Sequence, residues 1–101
     1  MANASLNIGN VYTKEENYDE ALTYYKKALE LNKKISNKKG ICSANKNIGT
    51  IYYIQKKYKE SLECYRNALN IIESFDIINE HEKDELILGI ENINKILHEN
   101  N

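Results

Sequence analysis

The feature that most limits what this chain can fold into is an internal recurrence: residues 2–35 return as residues 42–75, shifted by forty positions. Identity holds at 11 of the 34 aligned positions, far above what unrelated segments share. The pairs are Ala4/Ala44, Asn7/Asn47, Ile8/Ile48, Gly9/Gly49, Tyr12/Tyr52, Tyr18/Tyr58, Glu20/Glu60, Leu22/Leu62, Tyr25/Tyr65, Ala28/Ala68 and Leu29/Leu69. Most are small, aliphatic or aromatic residues at helical spacing. A solenoid needs that set wherever one unit packs on the next.

The motif within each unit is specific. The first reads Ile8-Gly9-Asn10-Val11-Tyr12, then Ala21 with Tyr25, then Ala28; the second reads Ile48-Gly49-Thr50-Ile51-Tyr52, then Ser61 with Tyr65, then Ala68. This resembles the tetratricopeptide repeat, whose signature runs L-G-x2-Y, A-x3-F, then a small residue before a proline. Three departures stand out. Ser5 and Asn45 replace the aromatic that often opens the first helix, and Lys33 and Glu73 replace the closing proline. The period is forty in place of about 34. Without a proline stop the second helix can continue for a further turn. The longer period is similar to an extended subclass found in adaptor proteins and bacterial peptide-sensing regulators. The resemblance implies an all-α, right-handed α-solenoid of antiparallel helix pairs.

Five helices are expected in a single domain spanning 1–101. The first repeat covers about 2–37, the second about 40–75, and a capping helix about 80–98. Within the first repeat, helices run from Asn3 to Lys14 and from Tyr18 to Ile35. Asn17 and Glu20 have capping-box spacing. Gly9 costs roughly 1 kcal/mol in a helix interior, so it signals close approach of the paired helix, with Tyr12 lying over the contact. Ala21, Tyr25 and Ala28 alternate small and large at i, i+4 and i+7, and Leu22, Leu29 and Ile35 widen that face. Asn37 to Gly40 breaks the units. The next helices run from Gly40 to Gln55 and from Tyr58 to Phe75. Asn79 and Glu82 repeat the cap spacing before the fifth helix, Glu80 to His98. Gly89 lies forty beyond Gly49, but Asn92 stands where the aromatic belongs, so this helix reads as an atypical cap, rotated or slipped relative to the repeats.

Composition narrows the function classes. The chain has no proline, four glycines and a formal net charge of −1, which suits helices and argues against a nucleic-acid binder with a basic face. Residues 1–75 carry 12 basic and 8 acidic side chains and residues 76–101 carry 2 and 7, so the two parts stand at +4 and −5. That contrast fits either a solvated acidic end helix or head-to-tail contact between copies. Cys42 and Cys64 form no C-x-x-C pair and no histidine stands at ligand spacing, so free thiols in a reducing compartment are expected, with no metal and no cofactor. Neither a long apolar run nor a signal peptide is visible, which predicts a cytoplasmic location. His81 and His98 belong to no ligand pair, and no nucleophile–base arrangement or phosphate-cradling glycine loop occurs. The chain reads as non-catalytic.

The resemblance also implies a site. First helices of such repeats line a concave side that takes an extended peptide or a partner helix. Here the lining would be Asn3, Leu6, Asn7, Asn10, Thr13 and Lys14, with Ser43, Lys46, Asn47, Thr50, Tyr53 and Ile54. Asn3, Asn7 and Asn10 share one helix face, and amides can clamp a peptide backbone with little regard to its sequence. In a chain with 15 asparagines the same row is equally plain polar surface. A carboxylate clamp is not expected: of five positions only Asn10 matches, while Leu6, Thr50, Leu86 and Ile90 occupy the others. Leu86, Ile90 and Ile93 face the groove if the end helix keeps repeat register, and seal the core if it is rotated. The leading expectation is a protein-interaction scaffold that binds a protein or peptide, with no nucleic acid or membrane involved. The alternative is a self-associating structural unit, a homo-oligomer without a separate ligand; light scattering over a concentration series separates the two. RNA binding, a third class, predicts salt-sensitive affinity for oligonucleotides.

Overall fold

A computed structural model describes residues 2–74 and 80–99, the side chains of residues 2 and 3 excepted. The helices are α1 (Ala2–Lys14), α2 (Tyr18–Lys34), α3 (Lys38–Ile54), α4 (Tyr58–Ser74) and α5 (Glu80–Glu99). Each packs on the next in sequence, and α1 also touches α3. This is the layout of an all-α repeat solenoid. Asn79, expected to cap α5, lies outside the described residues.

The three described turns are built alike, and none uses glycine. Glu16, Ser36 and Lys56 take left-handed φ values of 61°, 55° and 64°. In each, the next residue's N–H returns to a carbonyl five residues back: Asn17 to Tyr12, Asn37 to Asn32 and Lys57 to Tyr52, at 2.8–2.9 Å. The left-handed residue's own N–H reaches three back, to Thr13, Lys33 and Tyr53. These paired bonds are a Schellman closure, which satisfies carbonyls that a helix end leaves open. A side chain in the left-handed region is strained. Lys56→Gly should therefore raise stability by roughly 0.5–1 kcal/mol after the glycine's extra unfolded-state entropy is subtracted, read as a higher midpoint in urea unfolding.

Two local expectations need correction. Asn17 makes no side-chain cap bond; its backbone, at ψ 77°, falls short of the extended conformation that points a cap side chain at the first turn. Asn37 is the residue that caps, at ψ 95°, its Oδ1 accepting the Gly40 N–H at 3.3 Å. The third helix therefore begins at Lys38, two residues ahead of the glycine. Ile35, expected on the apolar face of α2, lies beyond the helix end and is exposed, because the turn through Ser36 carries the chain off that face.

The core follows the recurrence. Ala21, Leu22 and Tyr25 of α2 pack with Ile48 and Ile51 of α3, and Cys42, Ala68, Ile72 and Leu86 form a second cluster. Close approach occurs where glycine requires it, but Tyr12 does not cover it. A Cβ on Gly9 would stand 2.5–2.6 Å from the Tyr25 ring, and one on Gly49 would stand 2.8 Å from the Tyr65 ring. The covering tyrosine is sixteen residues on, in the paired helix, in both units. Tyr12 instead stacks on Tyr24, ring centroids 5.6 Å apart.

Among the described residues four polar residues are buried, and two of them, Ser61 and Asn32, are hydrogen-bonded within the packing. Ser61, in the place of Ala21, is buried and donates to the Gly49 carbonyl at 2.7 Å. Asn32 is buried at the junction of α2 and α3, its Nδ2 donating to the Ala28 carbonyl at 2.9 Å and its Oδ1 accepting from Asn37 Nδ2 at 3.1 Å. A Cβ on Gly40 would collide with that amide, so glycine there leaves room for a satisfied polar group in the core.

The end helix is rotated. In α3, Ile48 is 3% exposed against α2, yet Leu88, forty positions on, is 59% exposed. Leu86 and Ile93 are buried instead, at 2% and 0%. Two residues are roughly 200° apart around a helix, so α5 meets α4 with nearly the opposite face. Its leucine–isoleucine stripe closes the core, leaving no apolar wall of Leu86 and Ile93 in the groove.

Candidate groove on the first helices of each unit

The residues singled out on α1 and α3 sort into three groups. Asn7, Asn10, Lys14, Thr50, Tyr53 and Ile54 are exposed, and Asn47 is half-buried. Lys46 is engaged by the end helix, its Nζ 3.0 Å from a Glu85 carboxyl oxygen and 4.0 Å from Glu82. Asn3 belongs to α1, but its side chain lies outside the described residues.

Two tyrosines that the repeat pattern assigns to packing also reach this face. Tyr25, sent across the Gly9 gap from α2, donates its hydroxyl to Asn10 Oδ1 at 2.6 Å and sits 3.0 Å from the Thr13 hydroxyl. Thr13 also donates to the Gly9 carbonyl at 2.9 Å. In the second unit the Tyr65 hydroxyl lies 2.9 Å from Thr50 Oγ1. Burial raises the Tyr65 phenol above its usual pKa, partly offset by the Thr50 and Ser61 hydroxyls, so it stays protonated at neutral pH. The signal was in the sequence: Asn10 and Thr50 occupy the same place in the repeat, as do Tyr25 and Tyr65. With its carbonyl oxygen holding Tyr25, Asn10 keeps its amide N–H groups as donors. This face can therefore offer donors to peptide carbonyls beside the aromatic and aliphatic surface of Tyr53 and Ile54. Tyr53 is itself braced edge-on by Tyr58 at 5.6 Å.

Opposite charges meet within the chain. Lys46 pairs with Glu85, which also lies 3.2 Å from His81, and Lys83 of α5 is 3.8 Å from Glu73 of α4. The Lys46 hydrogen bond and charge hold the Glu85 carboxyl below its usual 4.5. Because the folded value is the lower one, this contribution is complete above about pH 4.5 and is lost as pH falls through the folded value. Both partners are partly solvated, so the pair is worth under about 1 kcal/mol. Lys46→Ala should cost no more than that and should flatten the acid limb of the stability curve below about pH 4.5, followed by thermal melts.

Cys42 and Cys64 are free. Burial, with Glu82 beside Cys42 and Glu63 beside Cys64, pushes both thiols up to about 11. Among the described residues no group of three His, Cys, Asp or Glu side chains could hold a metal ion, and no helix is long and apolar enough to cross a membrane.

The repeated hairpin, the glycine–tyrosine contact and its forty-residue period together define the unit, and a tetratricopeptide repeat family model matches residues 1–74. The chain belongs to the tetratricopeptide repeat family. Comparison with curated proteins gives no match. The matched segment ends with α4, which agrees with α5 packing unlike a repeat helix. Tetratricopeptide repeats generally mediate protein–protein interaction and are typically non-catalytic scaffolds.

Proposed function

We propose that this tetratricopeptide domain is an interaction module that binds an extended peptide along the face of α1 and α3. The observation that carries the reading is the exposure of Asn7, Asn10, Thr50, Tyr53 and Ile54 on these two neighbouring helices, with Asn10 and Thr50 fixed in place by tyrosine hydroxyls from behind. Side chains held before a ligand arrives lose little entropy on binding. Asn7, Asn10 and Asn47 would donate to peptide carbonyls, while Tyr53 and Ile54 would take an apolar side chain. Lys46 would meet acidic groups only by sharing its contact with Glu85, and Lys14 remains at the open end. A partner helix would find less here, since the buried Leu86 and Ile93 take the apolar wall away from the groove.

Selection from a random peptide display library, followed by titration against variants, tests this. Selected peptides should bind Asn47→Ala and Tyr53→Ala at least tenfold more weakly, with unchanged melting temperatures. Peptides indifferent to both substitutions would contradict the groove.

A further inference from the structure

One stripe of the repeat is covered in the second unit and bare in the first. Ala44, Ile48 and Ile51 of α3 are buried, at 0%, 3% and 1% exposure, and the two isoleucines pack with Ala21, Leu22 and Tyr25 of α2. Their counterparts forty residues earlier are Ala4, Ile8 and Val11. All three are exposed, Ile8 at 40% and Val11 at 55%. At the other end of the stack, α5 shows solvent His81, Asp84, Glu85 and Glu91 around the single Leu88. The two ends therefore differ: one is closed by a charged face and the other presents the apolar half of an interface already made once within the molecule.

We infer that the Ala4–Ile8–Val11 face of α1 is a second docking surface, separate from the groove, and that it takes an amphipathic helix carrying the α2 pattern. That pattern is small, leucine, tyrosine, small at i, i+1, i+4 and i+7, as in Ala21, Leu22, Tyr25 and Ala28. The argument is continuity. The α2–α3 contact is heterologous, joining two different stripes, so a face that copies one stripe calls for a ligand that copies the other. The helix would lie antiparallel to α1, as α2 lies to α3. Two copies of α1 face to face would set isoleucine and valine against their like, without the tyrosine that lies among them in α2. A second copy of this chain has no spare α2 stripe to offer: its own is covered by α3, and the equivalent helix α4 is covered by α5.

The probe is a synthetic peptide of residues 18–35 with Glu30 and Lys34, both exposed on α2, joined by a lactam, because an isolated helix this short is marginal in water. It is titrated into the isotopically labelled full chain. Saturable amide and methyl shifts at Ala4, Ile8 and Val11, half-complete below about 1 mM, are expected. Val11→Lys in the chain should weaken binding at least tenfold without lowering the melting temperature, as should Tyr25→Ala in the peptide. Absence of shifts would overturn the assignment, as would shifts confined to Asn47, Thr50 and Tyr53. Shifts at Ile48 and Ile51, reporting exchange into the existing interface, would also overturn it. So would self-association of the chain that Val11→Lys abolishes and the peptide leaves intact.

Discussion

Gly49→Leu is expected to destabilise the domain by about 3 kcal/mol or more, at the upper end of what overpacking costs. The first added carbon alone would stand 2.8 Å from two atoms of the Tyr65 ring and 3.2 Å from Cys64 Cβ. The ring can give by a few tenths of an ångström but not by the larger step a leucine there demands. Its far edge faces Gly89 of α5, where a Cβ would already stand only 3.2 Å away, and its hydroxyl is bonded to Thr50. Relief has to come from separating α3 and α4, which opens the core that Ile51 and Ile72 help to fill. Gly89→Ala tests the same ring from its other side with a smaller group. The ring has to yield there by only a few tenths of an ångström, and alanine regains up to about 1 kcal/mol of helix propensity, so little net change is expected. Denaturant unfolding of the two variants should thus give widely separated midpoints. Gly9→Leu should resemble Gly49→Leu, since Tyr25 is buried and its hydroxyl is held by Asn10 and Thr13.

Leu86→Ala should cost about 2–4 kcal/mol, the range for emptying a buried leucine site, whereas Leu88→Ala should change stability by less than about 0.5 kcal/mol. The contrast tests the rotation of α5. Leu88 is the positional counterpart of Ile48, so a helix in repeat register would reverse the order of the two losses. Leu86 is packed with Cys42, Ala68 and Ile72, so truncating it uncovers the last hairpin. In a solenoid stability is roughly a sum of neighbouring interfaces; hydrogen exchange in Leu86→Ala should therefore quicken first in α4 and α5, with α1 and α2 affected least.

The recurrence was enough to read the helix pairs, the positions of Gly9 and Gly49 and the small–large alternation of α2 and α4, because periodic identity marks positions that face a neighbour. It did not say which neighbour. Tyr12 and Tyr25 both recur, and only the path of the paired helix decides that the ring over Gly9 is Tyr25. Asn32 went unseen because asparagine is common on this surface, although its repeat counterpart Ile72 and its place one turn after Ala28 both put it on the buried face. Asn17, expected to cap, and Asn37, which does, are the same residue type, and they differ by a ψ angle that no composition carries. The rotation of α5 is carried by its own stripe: Leu86 and Ile93 are buried while Leu88, the counterpart of Ile48, is exposed, so the helix turns its more apolar side onto α4. In the groove the exposed amides were legible, but the tyrosine hydroxyls behind Asn10 and Thr50 and the clasp between Lys46 and Glu85 depend on contacts between distant segments.

Through-space proton contacts in solution test most directly whether each hairpin closes by laying a tyrosine ring on a glycine. Gly9 α-protons should show strong contacts to the Tyr25 ring, and Gly49 α-protons matching contacts to the Tyr65 ring, both sets moved upfield by ring currents. Glycines with ordinary shifts and no tyrosine contact, or a contact present in one hairpin and missing from the other, would contradict it.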